Sequence, residues 1–218
     1  MRVTIVNFIK IIKNIDRNYL YCYNLIKIEP GCIMKIILIR HGKTKGNIYR
    51  RYIGKTDEHL YEYESISGVY PNADFIVVSP MKRCIETAKF IYPRKKYNAF
   101  EDLRECDFGI FENKSFEDLK NNDLYKRWMK SNGMMPFPEG EAHDVFKKRC
   151  IDAYKKAIGI AGDKNIAFII HGGTIMAIMQ FIFGGDFYDY QVKNGDGFII
   201  ENNAYSKISD WRGNDGFI

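Results

Sequence analysis

Three short runs of the chain are almost wholly apolar: Ile36 to Ile39, Phe75 to Val78 and Ile166 to Ile170. A strand with one wet face alternates apolar and polar residues, so an unbroken run predicts a strand covered on both faces, as in a parallel sheet. Between and after these runs the period turns helical. Ser79-Pro80 predicts an N-cap followed by proline at the first helical position, and Met81, Cys84, Ile85, Ala88 and Ile91 then share one apolar face. Ser115 and Asp118 have the spacing of a capping box, opening a polar helix to about Lys130. Phe146, Cys150, Ala153 and Ala157 stripe a helix between Glu141 and Gly162, and Thr174 to Phe183 is apolar enough to predict a buried one. Asn132 to Gly140, with two prolines and two glycines, reads as loop, and Phe198 to Ile200 as one more strand. Strands alternating with helices predict an α/β fold: a three-layer α/β/α sandwich around a mostly parallel central sheet.

The first 33 residues do not join this pattern. Ile5, Phe8, Ile9, Ile12 and Ile15 recur at helical spacing among Lys10, Lys13 and Arg17, as in an amphipathic membrane-surface helix. The lysines interrupt the apolar run that a signal peptide requires, and no small-residue cleavage site follows it. Met34 immediately precedes the first buried-strand run. Residues 1–33 therefore read either as an N-terminal extension or as a misassigned start, and 34–218 as one domain.

Composition narrows the class. The longest apolar run falls short of the ~18 residues of a membrane span, and 46% hydrophobic residues suffice for a packed core. Five cysteines without a C-x-x-C pair fit neither a disulfide framework nor a zinc ribbon, which predicts a reducing, cytoplasmic setting. Half of the net charge of +6 resides in the leader, with five basic residues against two acidic. No Lys/Arg run interleaved with aromatics follows, so nucleic acid is not an expected partner.

The chemistry collects where the apolar runs end. The first leads into Arg40-His41-Gly42, the second into Ser79-Pro80 with Arg83 one helical turn on, and the third into His171-Gly172-Gly173. In open parallel sheets the ligand crevice lies outside the carboxyl ends of the strands, so these groups are expected to converge. One strand-end histidine is usually a packing residue; two of the chain's four, each followed by glycine, are harder to assign to packing. The expected site is cationic, with Gly-rich turns that let backbone N–H groups approach a phosphoryl group. Gly42-Lys43-Thr44 does not complete a P-loop, because Ile37 stands where that motif needs glycine. A zinc site is a weaker reading: the arginines would repel a metal, and no H-x-H or H-E-x-x-H spacing occurs.

The chain resembles the histidine phosphatase superfamily, the phosphoglycerate mutase-like fold, over nearly all of residues 34–218. The resemblance rests on Leu-Ile-Arg-His-Gly-Lys-Thr-Lys-Gly-Asn (38–47), Ser-Pro-Met-Lys-Arg-Cys-Ile-Glu-Thr-Ala (79–88), Leu-Arg-Glu-Cys-Asp-Phe-Gly (103–109), Pro-Glu-Gly-Glu (138–141) and His-Gly-Gly-Thr-Ile (171–175), in family order. It implies that His41 is a nucleophile forming phosphohistidine, its second ring nitrogen protonated against a backbone carbonyl. It implies that Arg40, Arg83 and a protonated His171 clamp the phosphoryl oxygens, and that Asn47 and the Gly172 N–H complete the pocket. Thr44 either donates to phosphate or caps the following turn. Glu105 matches the family's acid/base position. No metal or cofactor is implied. The short domain resembles the phosphatase branch, within it α-ribazole phosphatases, which implies hydrolysis of a small-molecule phosphomonoester such as α-ribazole 5′-phosphate in cobalamin biosynthesis. The alternatives are a phosphoglycerate mutase-type phosphotransferase and a non-catalytic phospholigand-binding protein of the same fold. Oligomeric state is not legible.

Four positions depart from the family pattern: Lys43, Lys55, Asn113 and Ala142. Residues 61–74 are shorter than the family's helix and loop, predicting a more open flank. Phe108, Phe111, Tyr125, Trp128 and Phe137 are expected to roof the site or to pack a lid helix. His59 and His143 are expected at the surface.

Overall fold

The computed structural model describes residues 34–214. The leader helix expected around Ile5 to Ile15 lies outside the described residues. Six strands form one sheet in the order β3-β2-β4-β1-β5-β6: β1 (Ile36–Arg40), β2 (Phe75–Val78), β3 (Tyr97–Ala99), β4 (Ile166–Ile170), β5 (Gly197–Glu201) and β6 (Ala204–Lys207). β3, β2, β4 and β1 run parallel, while β5 is antiparallel to both its neighbours.

The apolar runs are continuous because each face has its own cover. Ile36 and Leu38 of β1, with Ile166, Phe168 and Ile170 of β4, pack beneath α5 (His143–Ala161) and α6 (Gly172–Phe183) through Ala157, Ile175 and Ile178. The intervening Ile37, Ile39, Ala167 and Ile169 face α2 (Lys82–Ile91) and α7 (Ile208–Asn214) through Cys84, Ala88 and Ile208. Successive side chains alternate between the two layers. A third cluster gathers Phe111, Leu119, Tyr125, Trp128 and Phe137 around α3 (Phe116–Leu119) and α4 (Asp123–Lys130).

Register positions the site. Arg40 pairs opposite Ile170 and Val78 opposite Ile169, with β4 between β1 and β2. The residues that follow, His41, His171 and Ser79, therefore leave three adjacent strands at one edge.

The details differ from the sequence pattern in three places. α2 begins at Lys82 with Met81 as N-cap, not Ser79, whose hydroxyl is taken by His171. The expected helix from Ser115 to Lys130 keeps its capping box but breaks after Leu119, and Asn122 recaps the second piece by accepting from Leu124 N and Tyr125 N. Residues 61–74 hold only a 3₁₀ turn, Glu64–Ile66. That flank is nonetheless covered: Tyr70 donates to Gly195 O at 2.7 Å, and Arg212 of α7 lies 4.2 Å over the Tyr70 ring and donates to Val69 O.

Candidate active site

His41 stands just beyond β1, and its backbone N–H still bonds Ile170 O. Its Nδ1 lies 2.7 Å from Gly42 O, so the protonated nitrogen is Nδ1 and Nε2 is left with a free lone pair. Gly42 is fixed in turn, its N–H donating to Thr87 Oγ1 at 2.9 Å and Thr87 donating to Arg83 O at 2.6 Å. Asn194 ties the same loop from the other side, donating to His41 O at 3.0 Å.

His171 caps α6, and its ring meets the His41 ring edge-on with centroids 5.2 Å apart. Arg83 Nε donates to His171 Nδ1 at 3.3 Å, which places the proton on Nε2, 2.7 Å from Ser79 Oγ. His171 is thus neutral in this arrangement, unlike the protonated clamp that the family resemblance implied. Burial drives the pKa of both histidines well below the usual imidazole value, and the charges of Arg83 and Arg40 push the same way.

Arg83 is fully buried because a loop satisfies it: Nη1 donates to Thr56 O at 2.7 Å and Nη2 to Gly54 O at 2.9 Å. Glu112 holds that loop, its Oε1 accepting from Gly54 N, Thr56 N and Thr56 Oγ1. Each terminal nitrogen of Arg83 keeps a second N–H for an anion. Arg40 spends Nη1 on Val192 O, while its buried Nε has no partner. A Cβ added to Gly172 would stand 3.4 Å from that Nε, so the start of α6 and Arg40 face one space.

Glu105 lies against the start of α6. Its Oε2 accepts from Gly173 N and its Oε1 from Cys106 N, both at 3.0 Å. Burial raises its pKa, and those two hydrogen bonds pull it back only in part. Gly173 permits this approach, because a Cβ there would fall 2.3 Å from Glu105 Oε1. Arg149 secures the segment, donating to Asp102 O, Arg104 O and Glu105 O while paired with Glu141 at 2.7 Å.

Thr44 and Asn47 form the capping box of α1 (Lys45–Ile48), so the capping role of Thr44 is the one its side chain occupies. Asn47 Oδ1 also accepts from Asn194, which joins it to the His41 loop. Cys84 Sγ lies 3.6 Å from His171 Nε2, but burial pushes this thiol up to about 12, leaving it an inert wall. A cavity of about 280 Å³ opens from Arg40, Glu105 and Gly172 onto Phe108, Trp128 and Phe137. The aromatics thus divide: those three line the cavity, while Phe111 and Tyr125 pack the core behind it. His143, expected at the surface, turns its Nε2 into protein, whereas His59 is exposed beside Glu86.

The sequence model of the histidine phosphatase superfamily (branch 1) matches residues 36–213. The chain belongs to this superfamily. It is 28% identical over 160 residues to the uncharacterised phosphatase PhoE of Bacillus subtilis, covering 69% of this chain and 78% of that protein. To a broad-specificity phosphatase of Saccharomyces cerevisiae it is 26% identical over 180 residues, 74% of each chain. The α-ribazole phosphatase from Shigella flexneri superposes with a TM-score of 0.66 at 20% identity, covering 79% of this chain and 94% of that one, a likeness that shows the fold alone. The protein is thus a phosphatase/mutase of the histidine phosphatase superfamily with the phosphoglycerate mutase-like α/β fold.

Three of the four departures acquire physical reasons, and Ala142 has none in the structure. Lys43 pairs with Glu62 at 2.9 Å and Lys55 with Asp107 at 3.1 Å. Asn113 occupies a left-handed backbone position, φ +59°, where asparagine is the natural substitute for glycine. Ala142 is the N-cap of α5 and offers no side-chain cap.

Sequence reasoning did not single out Ser79 as the partner of His171, nor Thr87, Asn194, Glu112 and Arg149. Each acts on a group far away in the chain, and only the fold reveals the pairing.

Proposed function

We propose that this protein is a phosphomonoester hydrolase acting on small-molecule phosphates through a phosphohistidine at His41. The observation that carries the reading is the Nδ1 to Gly42 O contact of 2.7 Å, which leaves the Nε2 lone pair for attack without a separate base. In the first step Nε2 bonds to phosphorus as the P–O bond to the alcohol breaks, and Glu105 gives its proton to the departing oxygen. In the second, Glu105 takes a proton from water, the resulting hydroxide oxygen attacks phosphorus, and the P–N bond returns its electrons to His41.

The unpartnered Nε of Arg40, the remaining N–H groups of Arg83 and the start of α6 stabilise the charge spread over the phosphoryl oxygens. A dianionic phosphate beside His171 would raise its pKa, so this residue gains a proton at Nδ1 when the substrate binds, and the Arg83 Nε–H that Nδ1 accepts from is released to the phosphoryl oxygens. The fold needs no cofactor for these steps. The free, buried thiols of Cys84, Cys106 and Cys150 support a reducing, cytoplasmic setting.

A screen of phosphomonoesters that includes α-ribazole 5′-phosphate, phosphosugars and nucleotides tests the reading, with phosphoglycerate mutase activity measured beside it. The expected result is release of inorganic phosphate and an acid-labile phosphoenzyme, both abolished by His41→Ala. Unchanged hydrolysis in that variant would overturn the assignment, and transfer to phosphoglycerate in preference to water would make the enzyme a mutase.

A further inference from the structure

The peptide unit that joins His41 to Gly42 is held at both of its polar atoms. Its N–H donates to Thr87 Oγ1 of α2 at 2.9 Å, and its C=O accepts from Asn194 Nδ2 at 3.0 Å. The unit is planar, so bonds at its two ends stop the whole plane from rotating. The restraint matters because the residue that follows is glycine, whose backbone is otherwise the freest of all. The next carbonyl, Gly42 O, faces His41 Nδ1 at 2.7 Å, so the setting of this peptide decides where the ring finds its acceptor. Asn194 Nδ2 lies 3.4 Å from that carbonyl too.

Asn194 is firmly placed for this contact. Its turn is strapped to the end of β1, with Gly195 N donating to Arg40 O at 3.0 Å and Arg40 N donating to Asp196 O at 2.9 Å. Gly195 has φ +76°, and a Cβ there would collide with Ser65 O, so the turn packs too closely for a side chain. Gly195 O accepts from Tyr70 Oη at 2.7 Å. The remaining partner of Asn194 Nδ2 is Asn47 Oδ1, at 3.1 Å, which also accepts from Thr44 N at 3.2 Å. Backbone carbonyls can only accept, which settles which way round the Asn194 amide stands.

We propose that Asn194 is a positioning residue for the nucleophile: gripping the His41–Gly42 peptide opposite Thr87, it keeps the Gly42 carbonyl against Nδ1 and so holds His41 in the tautomer with Nε2 unprotonated. The inference rests on the phosphohistidine reading above and adds a residue that acts through another. Without this grip the carbonyl can swing away from Nδ1. A neutral imidazole that loses this acceptor carries its proton on Nε2 in part of the population, where no lone pair is left for phosphorus. Every substrate meets the same nucleophile, so the loss is indifferent to the leaving group, unlike loss of Glu105.

The test is Asn194→Ala in the full chain, read by long-range proton–nitrogen NMR of the histidine rings at neutral pH, which separates the two neutral tautomers. Absence from His41→Ala identifies the His41 signal. The wild-type ring should show the Nδ1–H form, and the variant should populate Nε2–H. Formation of phosphohistidine should slow roughly 10- to 100-fold for an alkyl phosphate and for p-nitrophenyl phosphate alike, as expected of a misaligned reacting group. Inhibition by inorganic phosphate should change less. Asn194→Ser keeps one donor and should recover part of both effects; it supplies the same readings should Asn194→Ala fail to fold. A folded variant whose His41 keeps the wild-type tautomer would overturn the proposal, as would an unchanged rate of phosphohistidine formation or a loss confined to alkyl phosphates. The mechanism itself fails separately: hydrolysis that survives His41→Ala would remove the phosphohistidine, while the tautomer comparison would still decide the role of Asn194.

Discussion

Glu105 shows what a single side chain must balance. Its two hydrogen bonds to backbone N–H groups favour the carboxylate, while burial favours the acid, and burial wins. A carboxyl whose pKa lies above its ordinary value stays protonated to higher pH and can deliver a proton to a leaving alcohol. For an alkyl phosphate, kcat/KM should therefore decline as pH rises through the elevated pKa of Glu105, and Glu105→Gln should remove that limb while lowering the rate on the order of 10²- to 10⁴-fold. For p-nitrophenyl phosphate, whose leaving group needs little protonation, formation of phosphohistidine should suffer much less. Equal damage to that step with both substrates would make Glu105 a water-positioning or structural residue. At this scale the nucleophile candidate, its histidine partner, both arginines and Glu105 were legible, because their residue types stand at strand ends or inside motifs. Thr87 and Asn194 were not, since each acts on the backbone of the His41 loop, 45 and 153 residues away in the chain.

Elements place these residues through their ends more than through their middles. α6 begins where Glu105 and Arg40 meet, and Gly173 is small because the carboxylate occupies the space of its missing Cβ. Gly173→Ala should displace Glu105, reducing kcat for alkyl phosphates more than for aryl phosphates while leaving phosphate affinity, measured by product inhibition, nearly intact. Loss of phosphate affinity equal to the loss of kcat would show that the whole start of α6 had moved. α5 starts less well: Ala142 cannot accept from the first turn, so Ala142→Ser should raise stability by ~0.5 to 1 kcal/mol in urea titration without changing kcat. The apolar runs predicted β1, β2 and β4 because covering both faces leaves a continuous pattern. β3 and β6 were illegible for the opposite reason: every residue in Tyr97–Ala99 and Ala204–Lys207 is exposed, so burial imposed no pattern on them. Ser79 misled the placement of the α2 cap because its hydroxyl has a tertiary partner, His171, invisible to local reasoning.

On the scale of the whole molecule, the register of three parallel strands concentrates positive charge and buried imidazoles at one edge, a cost that the rest of the fold must carry. The first described strand and every site residue lie at or beyond position 36, so a chain begun at Met34 is expected to fold and retain activity, as thermal melts and kinetics on both lengths would establish. The imidazoles also fix how stability responds to acid. His41, His171 and His143 all have pKa values below their usual range, chiefly through burial. The folded state therefore binds fewer protons than the unfolded chain below about pH 6.5, the ordinary histidine value. The stability that these groups contribute is present above that pH and is lost as pH falls toward their depressed folded values. Glu105 acts with the opposite sign: its raised pKa contributes stability below the ordinary carboxylate range that disappears as pH climbs through its folded value. The two effects oppose each other in mildly acidic solution, with three histidines against one carboxyl. Urea midpoints should accordingly drop from pH 7.5 to pH 5.5, and the drop should be larger in Glu105→Gln, which lacks the compensating term. His171→Asn should show a smaller drop than the wild-type chain, since one neutral buried imidazole has been removed. A midpoint that stays level or rises on acidification in Glu105→Gln would mean that the histidines are charged in the folded protein, and the neutral tautomer assigned to His41 would fall with it.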